Sequence, residues 1–167
     1  ETLPYVPGFT PVDKDGNPLK PVDPTDPTKG YVVPNIPTDP SEDTIINYVA
    51  NKANLVVKYV DENGKDLIPA ETTEGKEGDE YTTSGKVIPG YVLVRVEGET
   101  KGKIGKDGST VTYVYKPIGS WIPNIPGQPT NPIKYPNDPT DPTKPGKPTE
   151  TLPYVPGYTP VDKDGNP

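Results

Sequence analysis

Residues 55–64 read LVVKYVDENG, and the architecture can be worked outward from that run. Leu55, Val57 and Tyr59 alternate with Val56, Lys58 and Val60, the period of two that sends successive side chains to opposite faces of a strand. Its β-branched and aromatic content suits a pleated, half-buried surface. Asp61-Glu62-Asn63-Gly64 follows, and Asn-Gly is the strongest short hairpin signal. The run predicts strand, turn, strand, with the return strand over about residues 65–68. Residues 71–85 are charged and glycine-spaced with little helical periodicity, so they hold at most a short helical turn. Ile88-Pro89-Gly90 then punctuates the chain before YVLVRV at 91–96, and Gly105-Lys106-Asp107-Gly108 turns it again before VTYVY at 111–115. Four or five strands result. TIINYV at 44–49 is also strand-like and can lead straight into the first strand, so the domain is expected to begin near residue 42.

Proline frames this stretch: residues 1–52 hold 10, residues 53–117 hold 3 and residues 118–167 hold 13. The middle carries 9 basic and 11 acidic residues against 8 and 13 in the two arms together, so the arms are the more acidic part. With 26 Pro, 17 Gly and only 29% apolar residues in 167, the whole length cannot bury one uniform core. The middle, about 65–75 residues with no disulfide or metal, is near the lower limit for a self-sufficient domain, and its core should be rich in tyrosine. Cys, His and Met are absent, which removes disulfides, Cys/His zinc sites, haem ligation and imidazole triads. Neither an enzyme nor a cofactor is expected. A net charge of -7 disfavours nucleic acid. No apolar run is long enough to cross a membrane, so any export signal or anchor is expected outside these residues.

The chain also repeats itself. ETLPYVPGFTPVDKDGNP at 1–18 returns at 150–167 with one change, Phe9 to Tyr158, which reads as one full period of a tandem array followed by the opening of the next copy. DPTDPTK occurs at 23–29 and at 138–144, and VPNIP at 33–37 resembles IPNIP at 122–126. Prolines recur every third residue, at 18, 21, 24 and 27 and again at 136, 139, 142, 145 and 148. Three residues per turn is the period of polyproline II, which would make the arms semi-rigid rods, the second about 100 Å long if unbroken. A solvated, disordered linker is an equal alternative for the bare DPTDPTKPGKP stretch. The resulting division is a proline-rich spacer at 1–43, a β domain at 44–118 with its core at 53–117, a second spacer at 119–149 and the next repeat from 150.

VVKYVDENGKDL at 56–67, IPGYVLVRVEGE at 88–99 and TVTYVYKP at 110–117 together resemble the mucin-binding protein (MucBP) repeat of Gram-positive surface adhesins, especially those of lactobacilli. The likeness covers roughly residues 53–118 and contains no catalytic signature. It implies a mainly β module of the ubiquitin-like β-grasp type, α+β in class with 4–5 strands, here flanked by polyproline-II-like segments. It further implies an extracellular protein anchored to the bacterial cell wall through a region outside these residues. The partners it implies are host mucin glycans or glycoproteins, held by a monomeric unit within a tandem array.

Candidate sites each have a plainer alternative. Asp13-Lys14-Asp15-Gly16-Asn17 has oxygen ligands spaced as in part of a calcium loop but lacks the distal Glu, so an Asp-Gly turn is preferred and no metal site is expected. Glu71, Glu74, Glu77, Asp79, Glu80, Glu97 and Glu99 could supply a glycosidic acid pair, but so small a domain has little room for the cleft. Lys58 is the position to inspect for a Lys–Asn amide crosslink, a solvent-facing or snorkelling lysine being the usual alternative. Glycan recognition would draw on Arg95, Tyr91 and Trp121. Arg95 is the lone arginine and a bidentate anion partner, Tyr91 shares its strand face at i and i+4, and Trp121 is the lone tryptophan. Core packing for Tyr91 and a cap over the domain end for Trp121 are the preferred readings. The PxxP spacing suits polyproline readers, but such readers usually want a flanking basic residue and these arms are acidic, and a rod explains the spacing without a reader.

Overall fold

The computed structural model describes all of residues 1–167 as short strands and turns, with one 3-10 turn and no α-helix. Two compact units are distinguished, residues 1–84 with 95–114, and residues 85–94 with 115–167.

Residues 1–51 are folded by two ribbons. β1 (Thr2–Leu3) pairs antiparallel with β3 (Tyr31–Val32), and β2 (Phe9–Val12) pairs antiparallel with β4 (Asn47–Ala50). Thr10 lies opposite Val49 and Pro11 opposite Tyr48. A two-stranded ribbon consists of edge strands, which is where a proline without an N–H is tolerated. Pro11, Val12 and Tyr31 are buried. The Tyr48 hydroxyl donates to the Pro4 carbonyl at 2.6 Å, Asn51 N–H to Gly8 O at 2.8 Å, and the Thr10 hydroxyl to Asn51 Oδ1. The strand expected at 44–49 forms at 47–50, and its partner is the N-terminal segment.

The DPTDPTK stretches differ from the rod that their period suggests. Val32 N–H donates to Lys20 O and Val22 N–H to Gly30 O, both at 2.9 Å, so residues 20–32 double back as a hairpin with DPTDPTK as its loop. The cause is local. Asp23 Oδ1 accepts from the Thr25 N–H at 3.0 Å and its hydroxyl at 2.7 Å, and Asp26 does the same with Thr28. Each proline presets φ at the second turn position while the preceding aspartate closes an Asx turn, so Asp-Pro-Thr bends the chain where proline alone would extend it. Asp26 thereby caps the 3-10 turn at Pro27–Lys29.

β5 (Lys52–Asp61) and β6 (Asp66–Lys76) form the expected hairpin, followed by β7 (Glu80–Thr82), β8 (Tyr91–Glu97), β9 (Lys101–Lys103) and β10 (Ser109–Pro117). The main sheet has the order β6-β5-β10-β8, and β7 pairs with β9 as a separate ribbon. In β5, Ala53, Leu55, Val57 and Tyr59 are buried, and in β10 Val111, Tyr113 and Tyr115 are; the Tyr59 and Tyr113 rings stack at 5.7 Å and 13°. The core is rich in tyrosine, and the module is mainly β.

Two local features depart from expectation. Gly64 N–H donates to Asp61 O, Asp61 N–H donates to Lys65 O, and Gly64 alone has a positive φ of 83°. That is the pattern of a three-residue hairpin loop with a glycine bulge, since the two-residue type I′ turn would need positive φ at Asn63 as well. The return strand also runs to Lys76, far beyond residue 68, with Glu71 opposite Val57 and Gly75 opposite Ala53. Its Thr and Glu side chains face water from a sheet edge, so the sequence looks like loop although the backbone is paired. No helical turn forms between residues 71 and 85.

Candidate functional site

The second unit is assembled around Asn137. Its side-chain amide donates to Ile88 O at 3.1 Å and Tyr91 O at 2.8 Å, and its Oδ1 accepts from the Gly90 N–H at 2.9 Å. Ile118 N–H donates to Gly90 O at 2.9 Å and Leu93 N–H to Pro142 O at 2.8 Å. The Ile-Pro-Gly-Tyr turn is thus held by the arm that follows the domain, and Tyr91 is half-buried there. Asn137 sits at the neck of the second DPTDPTK hairpin, where Gly146 N–H donates to Pro136 O at 2.7 Å. Asp138 and Asp141 rebuild the Asx turns of Asp23 and Asp26, accepting from Thr140 and Thr143.

These turns leave the carboxylates strongly hydrogen-bonded. The Thr25 hydroxyl, then its amide and Lys29, hold the Asp23 carboxyl below the ordinary range. The Thr140 amide and hydroxyl do so for Asp138, and the Thr143 hydroxyl and amide for Asp141. Their oxygens are committed to the loop.

β11 (Ser120–Trp121) pairs with β12 (Ile133–Lys134), and Trp121 meets Tyr135 edge-on at 4.8 Å and 76°. One side of Trp121 borders a groove of about 560 Å³, walled by Ile122, Pro123, Leu152, Val155 and Tyr158 with Asn124, Thr159 and Asp162 among them. An apolar, partly aromatic wall with an amide, a hydroxyl and a carboxylate can stack on a sugar ring and hydrogen-bond its hydroxyls.

Arg95 is placed in the first unit, Tyr91 and Trp121 in the second. Arg95 Nε donates to Glu97 Oε2 at 3.2 Å, and Glu62 lies 3.9 Å from a terminal nitrogen, so two carboxylates already answer its charge. Both pairs are exposed and individually worth little, yet a glycan carboxylate or sulfate would have to displace them. Lys58 is half-buried on β5 between Val56 and Val60. Asp13 Oδ1 accepts from the Asp15 and Asn17 N–H groups at 2.9 Å each, the preferred turn. Asp61 and Asp162 build the same turn, so this is a recurrent Asp-x-x-Gly loop closure. Among the acids weighed as a pair, Glu71 accepts from the Tyr59 hydroxyl at 2.8 Å, Asp79 from the Lys76 N–H at 2.9 Å, and Glu97 from Arg95. The Asn137 clamp was missed by the sequence reading. Its only signal was an asparagine immediately before a DPT block.

The family model described as the MucBP domain matches residues 54–116. The chain is 43% identical over 61 residues to Internalin J of Listeria monocytogenes, covering 36% of this chain and 7% of that protein. It is 36% identical over 113 residues to the muramidase-released protein of Streptococcus suis, covering 60% of this chain and 9% of that protein. The second alignment is longer than the domain, so it reaches into the proline-rich flanks. The chain spans less than a tenth of the length of these relatives. A solved segment of a Listeria monocytogenes protein, named for peptidoglycan binding, matches at 27% identity over 37% of this chain and 73% of that one, with a TM-score of 0.33.

Proposed function

Because residues 54–116 carry a MucBP domain, we propose that this chain is a repeat unit of a bacterial cell-surface adhesin that holds mucin-type glycoproteins through many individually weak contacts. The family match is the observation that carries the reading, and it supports a binding role. The name of the Streptococcus suis relative states release by muramidase, an enzyme that cuts wall glycan; carried to this chain, it supports a wall-attached, extracellular position. The repetition of residues 1–18 at 150–167 supports a tandem array with the domain at 44–118. Linked copies raise effective concentration, so each can bind poorly while the array binds well. Trp121 and its groove are the contact we assign to sugar rings; Tyr91 serves the clamped turn, and Arg95 remains with Glu97 and Glu62.

The test compares this chain with a two-copy chain on immobilised mucin, before and after removal of terminal sugars. Retention that rises steeply with copy number and falls after stripping supports the adhesin. A second reading, a stalk that projects another domain, is favoured by the Asn137 clamp, which ties flank to domain as a stiff spacer requires. No retention by either chain would establish the stalk.

A further inference from the structure

Asn-Gly occurs once in the chain, at Asn63-Gly64, on the exposed tip of the β5–β6 hairpin. The pair carries both partners of a reaction. The Gly64 backbone nitrogen is a nucleophile tethered to the Asn63 side-chain amide, and closing a cyclic imide between them needs no second molecule to collide. Nothing crowds the approach, since a Cβ on Gly64 would meet no atom within 4 Å.

Hydrogen bonds restrain the pair where sterics do not. The Gly64 N–H donates to Asp61 O at 3.1 Å, which keeps the proton of the nucleophilic nitrogen engaged and its peptide plane turned toward Asp61. Asp61 Oδ1 accepts from the Asn63 N–H at 2.8 Å and the Lys65 N–H at 3.0 Å, and the Asp61 N–H donates to Lys65 O at 2.9 Å. All four bonds end on Asp61. Ring closure has to rotate the Asn63–Gly64 peptide until its nitrogen faces Cγ, so it requires the loop to open first.

We propose that Asn63 is a self-modification site and that Asp61 is the positioning residue that holds it closed. When the loop opens, hydroxide takes the Gly64 amide proton and the nitrogen attacks Asn63 Cγ. The bond from Cγ to the side-chain nitrogen breaks, and that nitrogen leaves with a proton from water as ammonia. A water molecule then opens the imide at either carbonyl, leaving aspartate or isoaspartate at position 63. Both products add a negative charge beside Asp61 and Glu62. Isoaspartate also inserts a methylene into the backbone, and the bonds that Asp61 makes across the loop depend on its length. The Gly16 N–H likewise donates to Asp13 O at 3.0 Å and the Gly108 N–H to Gly105 O at 3.0 Å, but the residues before them, Asp15 and Asp107, offer a carboxylate, a far poorer target for a nucleophile than an amide.

The experiment follows the full chain in mildly alkaline buffer, with peptide mass mapping and isoaspartyl methyltransferase labelling at position 63. Conversion should be several-fold slower in the native chain than in the same chain in urea. Asp61→Ala removes the side-chain acceptor and should convert several-fold faster than the unaltered chain, while Asp61→Asn keeps an Oδ1 and should return toward the slow rate. Equal rates in native and unfolded chains overturn the proposal, as does a folded Asp61→Ala chain that converts no faster, or an absence of conversion in urea. Should Asp61→Ala not fold, the unaltered chain decides. Urea below the unfolding transition should then accelerate amide exchange at Gly64 and conversion at Asn63 together, and conversion that does not follow exchange rejects the lock.

Discussion

The side-chain amide of Asn137 donates to the Tyr91 carbonyl at 2.8 Å, a contact between residues 46 apart in the chain. With Ile88 O and the Gly90 N–H also satisfied, one asparagine serves three backbone groups of a turn that would otherwise depend on water. Asn137→Ala should cost about 1–3 kcal/mol, the penalty of leaving such groups without their partner. A fall of several degrees in Tm and faster amide exchange at Gly90 would register it. Asn137→Asp keeps an acceptor for Gly90 but sets a carboxylate against two carbonyls, so it should be no better than alanine above pH 5.

Tyr59 separates packing from hydrogen bonding. Tyr59→Phe keeps the stack on Tyr113 and loses the bond to Glu71, a change of about 0.5–1.5 kcal/mol. Tyr59→Ala removes a buried ring from a small core and should cost about 3–5 kcal/mol, much of such a domain's total stability. Urea unfolding of the two variants should show midpoints well apart.

The Asp-Pro-Thr turns carry a pH dependence. Hydrogen bonds lower the carboxyl pKa of Asp23, Asp138 and Asp141 in the folded state, so their contribution is fully present above the unfolded value near pH 3.9 and is lost as pH falls through the folded values. Amide exchange at Thr25, Thr140 and Thr143, corrected for its intrinsic pH dependence, should accelerate below about pH 4. Tyr31 behaves in the opposite sense. Burial, then Tyr5 and Tyr48, raise its pKa, so the β1–β3 ribbon is stable below about pH 10 and loosens as the phenol is forced to ionise.

Two glycines distinguish a steric from a conformational requirement. A Cβ on Gly146 would lie 2.5 Å from Asn137 O, a backbone atom in the hairpin neck, whereas Gly127 has a φ of 75° with open space around it. Gly146→Ala should open the 136–146 hairpin and weaken the Asn137 clamp with it. Gly127→Ala should cost only about 1 kcal/mol of backbone strain. Tm and exchange at Gly90 should move together in the first variant and stay separate in the second.

Arg95 and Trp121 test the glycan reading from opposite sides. Arg95→Ala removes exposed ion pairs to Glu97 and Glu62 and should leave both stability and mucin retention within error. Trp121→Ala removes a groove wall and should reduce retention several-fold on a multi-copy chain. A loss on Arg95→Ala would move the site to the first unit.

The domain's strands were legible where alternation was strong. LVVKYV and VTYVY place their buried side chains two apart, and both became central strands of the sheet. The outer return strand was not legible beyond residue 68, because water-facing Thr and Glu carry no pattern that separates paired backbone from loop. Trp121 could be read as aromatic and near the domain end, but its groove depends on residues 152–162, which no local pattern connects to it.

The 18-residue repeat shows where local information stops. In both copies the sequence itself determined the turns: Asp13 and Asp162 close the same loop on their own backbone, with Gly16 and Gly165 both at φ 83°. Those bonds join residues at most four apart, so nothing distant is required. Strand formation was decided only by tertiary structure. Phe9–Val12 is β2 because Asn47–Ala50 lies alongside it, whereas residues 158–161 have the same backbone donors and acceptors and no strand to meet them. An isolated extended segment has no internal hydrogen bonds to hold it, so its partner, and not its sequence, makes it a strand.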